Sequence, residues 1–139
     1  MLKSILVATD GSDHARKAVE YACDMASKYD ATIYIIHVIS LPPMAYAEAS
    51  FEPLKDHLDK TGKAIIGEAA KLVKSRGINA ETVMATGDPA EEILKFAEKN
   101  NVDMVVLGSR GAGKLEMLML GSVSHKVCNV AECTCVTVK

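Results

Sequence analysis

The stretch KSILVATDGSDHARKAVEYACDMA, from Lys3 to Ala26, combines a strand, a turn and a helix in that order. Its first part, Lys3 to Thr9, is a β-branched apolar run that favours a β-strand. The turn-forming residues Asp10 to Ser12 follow, and beyond them small or apolar residues recur every three or four positions, as in an amphipathic helix. Ser12 is a suitable N-cap for that helix. The stretch therefore predicts a β-α unit.

The same alternation of strand and helix continues along the chain. The second predicted strand, Ala31 to Ile39, is apolar nearly throughout, which is typical of a strand covered on both faces. A surface loop is predicted from Ser40 to Pro53, followed by a helix whose buried stripe begins at Leu54. The predicted elements after the loop are a helix from about Pro53 to Arg76, a strand from Asn79 to Gly87, a helix from Pro89 to Lys99 with Asp88 as N-cap and Glu91 as capping-box partner, a strand from Val102 to Gly108, a helix from Gly121 to Ala131 and a strand from Cys135 to Val138.

Alternating strands and helices predict a parallel sheet with helices on both faces, because parallel neighbours need crossover connections. A chain of 139 residues is long enough for one domain, so we expect a single domain over residues 1–139. In such sheets a ligand lies beyond the carboxyl ends of the strands, where the strand order reverses. This rule points to Asp10, to Val38–Ser40 and to the residues from Gly108 onward.

Composition and charge exclude several classes of function. The 16 basic residues are balanced by 18 acidic ones, so there is no electrostatic case for binding nucleic acid. The apolar runs are too short to span a bilayer, and the N-terminus has no signal-peptide layout. We therefore expect a cytoplasmic protein with no membrane partner, whose four cysteines are reduced thiols.

The segment GSRGAGK, from Gly108 to Lys114, matches the first seven positions of the phosphate-loop pattern G-x-x-x-x-G-K-[ST]. The eighth position is Leu115, which lacks the hydroxyl that the pattern uses to hold magnesium. The dinucleotide pattern G-x-G-x-x-G also fails, since Glu116 stands where the third glycine is needed. A genuine phosphate loop is therefore disfavoured.

A wider reading of the same region gives a different phosphate-binding device. Gly108 and Gly111 allow a sharp turn and close approach of a ligand, and after nine residues Gly121-Ser122 begins a helix. The free N–H groups and positive dipole end of that helix favour an anion. We name Gly108, Gly111, Gly121 and Ser122 the glycine clamp. The alternative is that these glycines serve only a turn and a cap.

The pattern Gly108-x-x-Gly111, nine residues, then Gly121-Ser122 resembles the G-x2-G-x9-G-[ST] signature of the ATP-binding branch of the universal stress protein family. The opening ILVATDGSDHARKAVEYA, the strand IYIIHVI and the ending VCNVAECTCVTVK are also similar to that family, so the resemblance covers the whole chain. It implies an α/β three-layer sandwich whose five parallel strands have the order 3-2-1-4-5.

The resemblance also implies an adenine-nucleotide site. Residues matching Ala8, Thr9 and Asp10 lie beside the nucleotide in relatives, the backbone at Val38 contacts adenine, and the glycine clamp holds ribose and phosphates. The site implied in this way comprises Ala8, Thr9, Asp10, Val38, Gly108, Ser109, Arg110, Gly111, Gly113, Lys114, Gly121, Ser122 and Val123.

ATP is the implied cofactor, with a divalent metal such as Mg or Mn on its phosphates and no metal site or catalytic residue in the protein itself. The resemblance further implies a homodimer through the C-terminal edge strand at Val136 and Val138, since an open apolar edge favours such pairing. One departure lies nearby, because relatives often have Cys-Pro-Val where this chain has Cys133-Thr134-Cys135.

Three functions are compatible with these observations. The first is a stress-response or regulatory protein that binds ATP with little or no hydrolysis, since no convincing general base or water-positioning residue accompanies the clamp. The second is a slow ATPase or phosphotransferase that uses the same site. The third is an interaction module in which nucleotide binding is incidental.

Overall fold

The computed structural model describes residues 1–41, 52–110 and 121–139, which contain a five-stranded parallel sheet in the order β3-β2-β1-β4-β5. Both the α/β class and the strand order predicted from the sequence are confirmed. The elements are β1 (Ser4–Ala8), α1 (Asp13–Tyr29), β2 (Thr32–Ile39), α2 (Glu52–Ser75), β3 (Ala80–Thr86), α3 (Pro89–Lys99), β4 (Met104–Gly108), α4 (Ser122–Val130) and β5 (Thr134–Val138). The predicted loop from Ser40 to Pro53 lies largely outside the described residues.

The core consists of two apolar layers, one on each face of the sheet. Side chains of β1 alternate between them, so that Ile5 and Val7 pack with α1 and α2 while Leu6 packs with α3 and α4. All three are fully buried, at 0% exposure. This explains why the central strands read as continuous apolar runs.

Local sequence signals fix where the helices begin. The Ser12 hydroxyl accepts a hydrogen bond from Ala15 N (3.2 Å) at the start of α1, and the Asp88 carboxylate accepts one from Glu91 N (3.0 Å) at the start of α3. The Glu91 side chain does not act as the predicted capping-box partner but lies 3.6 Å from Lys126 Nζ of α4. Within the described ranges, no helix is long and apolar enough to cross a membrane.

Helix α2 lies close to the sheet at Gly62, which is buried. A Cβ atom at this position would lie 2.8 Å from both His37 Cδ2 and Met84 Cε. The missing side chain therefore allows α2 to lie close to β2 and β3. The predicted buried stripe of this helix is wrong at its first residue, since Leu54 is 36% exposed at the first turn.

The two interior glycines of α2 should respond in opposite ways to alanine. Gly67→Ala should raise the free energy of unfolding by about 1 kcal/mol, because alanine is the better helix former. Apart from the neighbouring backbone of α2 itself, no atom of the described residues lies within 4 Å of the added methyl group. Gly62→Ala gains the same helix propensity but forces His37 or Met84 to move, so we expect a net loss of about 1 kcal/mol. Urea denaturation of both variants measures this, and a shift in the same direction would contradict the packing described at Gly62.

The carboxylate of Asp103 joins the amino ends of β1 and β4. Its Oδ2 accepts hydrogen bonds from the backbone N–H groups of Lys3 (2.8 Å) and Ser4 (3.0 Å). These bonds stabilise the charged form of the carboxyl group, and the bond from Lys3 has the largest effect. They lower the pKa of Asp103 below its ordinary value of 3.8. The charged carboxylate therefore stabilises the folded chain.

This contact makes a prediction about pH. A carboxyl group whose pKa is lowered by folding stabilises the protein above its ordinary pKa, and the contribution disappears as the pH falls through the lowered value. Asp103→Asn should therefore be less stable than the parent at neutral pH, with a difference that shrinks on acidification. Urea denaturation of both proteins across this range provides the test. A difference that stays constant with pH would show that the charge of Asp103 contributes nothing.

Candidate functional site

The candidate site lies at the carboxyl edge of the sheet, where β1 and β4 run side by side. Val7 of β1 pairs with Val106 of β4, and the two strands end at Ala8 and Gly108. In the sheet, β2 and β3 lie on one side of β1, whereas β4 and β5 lie on its other side. This is the point where strand order reverses, and it is the usual ligand position in such folds.

The turn after β1 is held by its own side chains. Asp10 Oδ1 accepts a hydrogen bond from Ser12 N (2.9 Å), and Thr9 Oγ1 accepts one from Gly11 N (3.2 Å). Gly11 has a φ of +83°, a conformation that glycine adopts without strain. Thr9 is buried at 8% exposure, whereas Asp10 is exposed. The turn therefore presents the Asp10 residue at the carboxyl edge.

Val38, near the end of β2, directs its backbone toward the space beyond β1. Ile36 bonds on the β1 side, where its carbonyl accepts from Thr9 N (3.0 Å), and Ile39 bonds on the β3 side, where its carbonyl accepts from Gly87 N (3.0 Å). Backbone groups of a strand alternate between its two neighbours, so those of Val38 face the β1 side. Because β1 has already ended there, the N–H and C=O of Val38 face the site.

The side chain of His37, the residue before Val38 in β2, holds the turn that follows β1. Its Nδ1 donates to the backbone carbonyl of Thr9 at 2.8 Å, which leaves Nε2 as the acceptor in the neutral ring. His37 therefore connects the turn after β1 to β2.

Gly108 has a structural reason to be glycine. A Cβ atom there would lie 2.8 Å from the His14 carbonyl carbon and 2.9 Å from Ala15 N, both in the backbone of α1. The first turn of α1 thus lies directly against the end of β4. The sequence assigned this glycine to close approach of a ligand, but close approach of a helix is sufficient to require it.

Ser109 is the buried polar centre of the site, at 3% exposure. Its backbone N–H donates to the carbonyl of Val138 (2.8 Å), which continues the pairing of β4 with β5 by one residue. Its hydroxyl lies 3.1 Å from Nδ1 of His14, in the first turn of α1. The residue therefore fixes the exit of β4 against both β5 and α1.

The start of α4 is anchored on the carbonyl of Ser109. Gly121 N donates to this oxygen at 2.6 Å, and the Ser124 hydroxyl lies 3.3 Å from it and 3.0 Å from the carbonyl of Gly121. Ser124 is buried at 3% exposure. These contacts place the first turn of α4 beside Ser109 and Arg110 at the carboxyl edge.

The outer side of that first turn has the features of an anion site. The N-cap residue is Gly121, which has no side chain to occupy the helix start, and the first turn of α4 contains no acidic residue. Ser122 is exposed, with its hydroxyl on the same turn. Backbone N–H groups at a helix start favour negative charge, so the geometry suits a phosphate group.

The structure places the predicted site residues at three neighbouring points: Ala8, Thr9 and Asp10 at the end of β1, Gly108, Ser109 and Arg110 at the end of β4, and Gly121, Ser122 and Val123 at the start of α4. Gly111, Gly113 and Lys114 lie outside the described residues. Among residues 1–41, 52–110 and 121–139, no group of three or more His, Cys, Asp or Glu side chains is arranged to hold a metal ion.

Comparison with known proteins agrees with this geometry. The family model described as "Universal stress protein family" matches residues 1–139. The chain belongs to the universal stress protein family. It is 36% identical over 148 residues to universal stress protein YxiE of Bacillus subtilis, with 100% of both chains covered. The family resemblance recognised in the sequence is thereby confirmed.

Solved structures of other universal stress proteins share the fold. The structure of MJ0577 from Methanocaldococcus jannaschii has a TM-score of 0.89 and 29% identity, covering 100% of this chain and 96% of that one. A universal stress protein from Archaeoglobus fulgidus, solved in complex with dAMP, has a TM-score of 0.75 and 20% identity, covering 100% of this chain and 98% of that one. At that identity the second likeness shows the fold alone.

Sequence reasoning missed the supporting residues of this universal stress protein site. His14 and Ser124 both bond to Ser109, from which they are separated by 95 and 15 residues. Neither belongs to the glycine pattern, so no sequence motif pointed to them. The sequence does contain one signal for Ser124. It lies two residues after Ser122, and this spacing places the two side chains on opposite sides of the helix.

The contact at Gly108 predicts a cost in stability that does not depend on nucleotide. Gly108→Ala should lower the free energy of unfolding by about 2–3 kcal/mol, because the added methyl group meets rigid helix backbone. Thermal and urea denaturation without nucleotide measure the effect. A variant as stable as the parent would show that α1 does not hold this position.

Proposed function

We propose that this universal stress protein binds ATP at the carboxyl edge of its sheet and acts as a nucleotide-dependent stress-response or regulatory protein with little or no hydrolysis. The observation that carries the proposal is the first turn of α4, which is anchored on its inner side and receives no side-chain cap on its outer side from residues 1–41, 52–110 or 121–139. An anchored helix start with free N–H groups is preorganised for phosphate.

The local environment of Gly121 supports this assignment. Its φ of −56° and ψ of 148° are open to any residue. The nearest atom to an added Cβ would be Ser109 O at 3.4 Å, an ordinary contact. Neither backbone conformation nor packing among the described residues requires glycine here, in contrast to Gly108. A bare backbone at this position has its clearest use in letting a ligand approach the helix start.

The other end of the site supports adenine recognition. The backbone groups of Val38 that face the site offer one donor and one acceptor, which match the hydrogen-bonding edge of adenine. Between Val38 and α4 lie Ala8, Thr9 and Asp10, where the family resemblance places the nucleotide. The dAMP complex of the Archaeoglobus fulgidus relative is consistent with an adenine nucleotide in this fold.

The proposal assigns the divalent cation to the phosphates rather than to protein ligands. Asp10, whose carboxylate follows the end of β1, already accepts the Ser12 N–H in its turn and has a structural role there. We assign no catalytic residue, and we expect phosphate release to be slow. The proposal places the protein in the cytoplasm, where ATP is abundant.

A pair of serine variants in α4 tests the site. Ser122→Ala removes an exposed hydroxyl from the proposed phosphate site, so we expect ATP affinity to fall about tenfold, the worth of one hydrogen bond to a charged group. Stability should change by less than about 0.5 kcal/mol, as for most surface substitutions. Titration calorimetry of ligand-free protein with ATP and Mg, together with thermal denaturation, gives both quantities.

Ser124→Ala is the matched control, because it removes a hydroxyl two residues away on the buried side of the same helix. It should lower the free energy of unfolding by about 1–2 kcal/mol, since its partners lose a buried hydrogen bond. A parent protein that binds no adenine nucleotide would overturn the proposed function. If the parent binds and Ser122→Ala binds equally well, the phosphates do not contact Ser122.

We further propose that the protein is a homodimer paired through the open side of β5. The carbonyl of Val138 accepts from Ser109 N, so the backbone groups of Val138 and Val136 face β4. The alternate residues Cys135 and Thr137 therefore direct their N–H and C=O groups to the other side. The sequence nominated Val136 and Val138 for pairing, and we now assign the main-chain bonds to Cys135 and Thr137.

The alternation along β5 yields a specific test of the dimer. Thr137→Pro removes an N–H that faces the open edge while leaving the bonds to β4, and proline is tolerated on edge strands. We expect this variant to be monomeric at tens of micromolar by light scattering, with Thr137→Ala as a dimeric control. A monomeric parent protein would disprove the homodimer.

A further inference from the structure

Two cysteine side chains meet between α4 and β5. The Sγ atoms of Cys128 and Cys135 are 2.7 Å apart, and both cysteines are free thiols that are partly buried. A disulfide bond is about 2.05 Å long, so the sulfur atoms need to approach by only about 0.65 Å to form one. The folded chain thus holds two thiols close to bonding distance.

The alternation of β5 places Cys135 on the correct face for this contact. Cys135 packs in the layer of α3 and α4, whereas its neighbour Val136 packs in the layer of α1 and α2. Cys128 is seven positions earlier in the chain, on α4. The pair therefore lies inside one subunit, on a different side of β5 from the main-chain edge proposed for dimerisation.

We propose that Cys128 and Cys135 are a modification site, at which a peroxide converts the two thiols into an intramolecular disulfide. The oxidant is a hydroperoxide such as hydrogen peroxide, and a small dithiol reverses the change. The inference depends on the folded contact between α4 and β5 and does not depend on nucleotide binding.

The environment of the two sulfur atoms assigns their roles. Burial, followed by the hydrogen bond with Cys128, raises the pKa of the Cys135 thiol to about 12, so it stays protonated at neutral pH. Cys128 is therefore the attacking sulfur. As a thiolate it attacks one peroxide oxygen, an S–O bond forms, the O–O bond breaks, and the departing hydroxide takes a proton to become water.

The second step closes the bond. The sulfur of Cys135 attacks the sulfur of the Cys128 sulfenic acid, an S–S bond forms and the S–O bond breaks. The proton of the Cys135 thiol leaves with the hydroxyl group as a second water molecule. In total two thiols are oxidised by two electrons, one peroxide is reduced, and two water molecules are released.

The remaining cysteines provide internal controls. Cys23 is fully buried in the layer of α1 and α2, on the other face of the sheet. Cys133 lies two residues before Cys135, and burial raises the pKa of its thiol as well. The close sulfur contact is made by Cys128, so the proposal excludes both Cys23 and Cys133 from the bond.

The experiment treats the full-length reduced protein with about one equivalent of hydrogen peroxide and measures its intact mass without reductant. We expect a monomeric product lighter by about 2 Da, with Cys128 linked to Cys135 in peptide maps. Reactive thiols in the unfolded chain should fall from four to two. Cys23→Ser and Cys133→Ser should react like the parent, and Cys128→Ser and Cys135→Ser should not lose the 2 Da.

A thermal scan of the oxidised parent adds a second readout, independent of any folding defect in the variants. A bond formed between atoms already near bonding distance should raise the melting midpoint, and reduction should restore it. Oxygen adducts without the mass loss, a link to Cys133, a bond between two chains, or a lowered melting midpoint would each overturn the proposal.

Discussion

Ser109 is the residue on which the site depends, because its polar groups join three elements. Its N–H donates a hydrogen bond to Val138 of β5, and its carbonyl accepts one from Gly121 at the start of α4. Its hydroxyl forms a hydrogen bond with His14 of α1. The residue is 3% exposed, so an unpaired polar group here would be costly. The positions of α1 and α4 relative to the carboxyl edge are thus set by the same short segment of backbone.

The fold was predictable because its signals are local and repeated. The apolar run of β1, the Ser12 cap and the Asp88-Pro89 start of α3 each specify an element without knowledge of the rest of the chain. Alternation of these elements then leaves little choice but a parallel sheet covered on both faces. The family pattern supplied the strand order, which local signals alone do not determine.

The reasons for individual glycines and polar side chains were less predictable. Gly62 lies inside a helix with no local reason to be glycine, but a Cβ atom there would lie 2.8 Å from side-chain atoms of both His37 and Met84 on neighbouring strands. Gly108 belongs to a nucleotide pattern, yet α1 lies against it, and His14 reaches Ser109 from 95 residues away. Such roles depend on long-range packing, which becomes defined only when the chain has folded. The contrast between Gly108 and Gly121 could therefore be drawn from the structure but not from the motif.

Helix α4 is short, and its position depends mainly on its inner face. Val127 is fully buried at 0% exposure and Ser124 is bonded to Ser109, whereas the ion pairs of Lys126 with Asp88 and Glu91 are exposed and contribute little. In the part of the chain that the structure describes, the outer face of the first turn makes no comparable contact, which is the condition for binding an anion there. Cys128 lies farther along the same helix, against β5. The helix thus carries both a proposed ligand-binding turn and a proposed oxidation site, and both are positioned by the packing of its inner face.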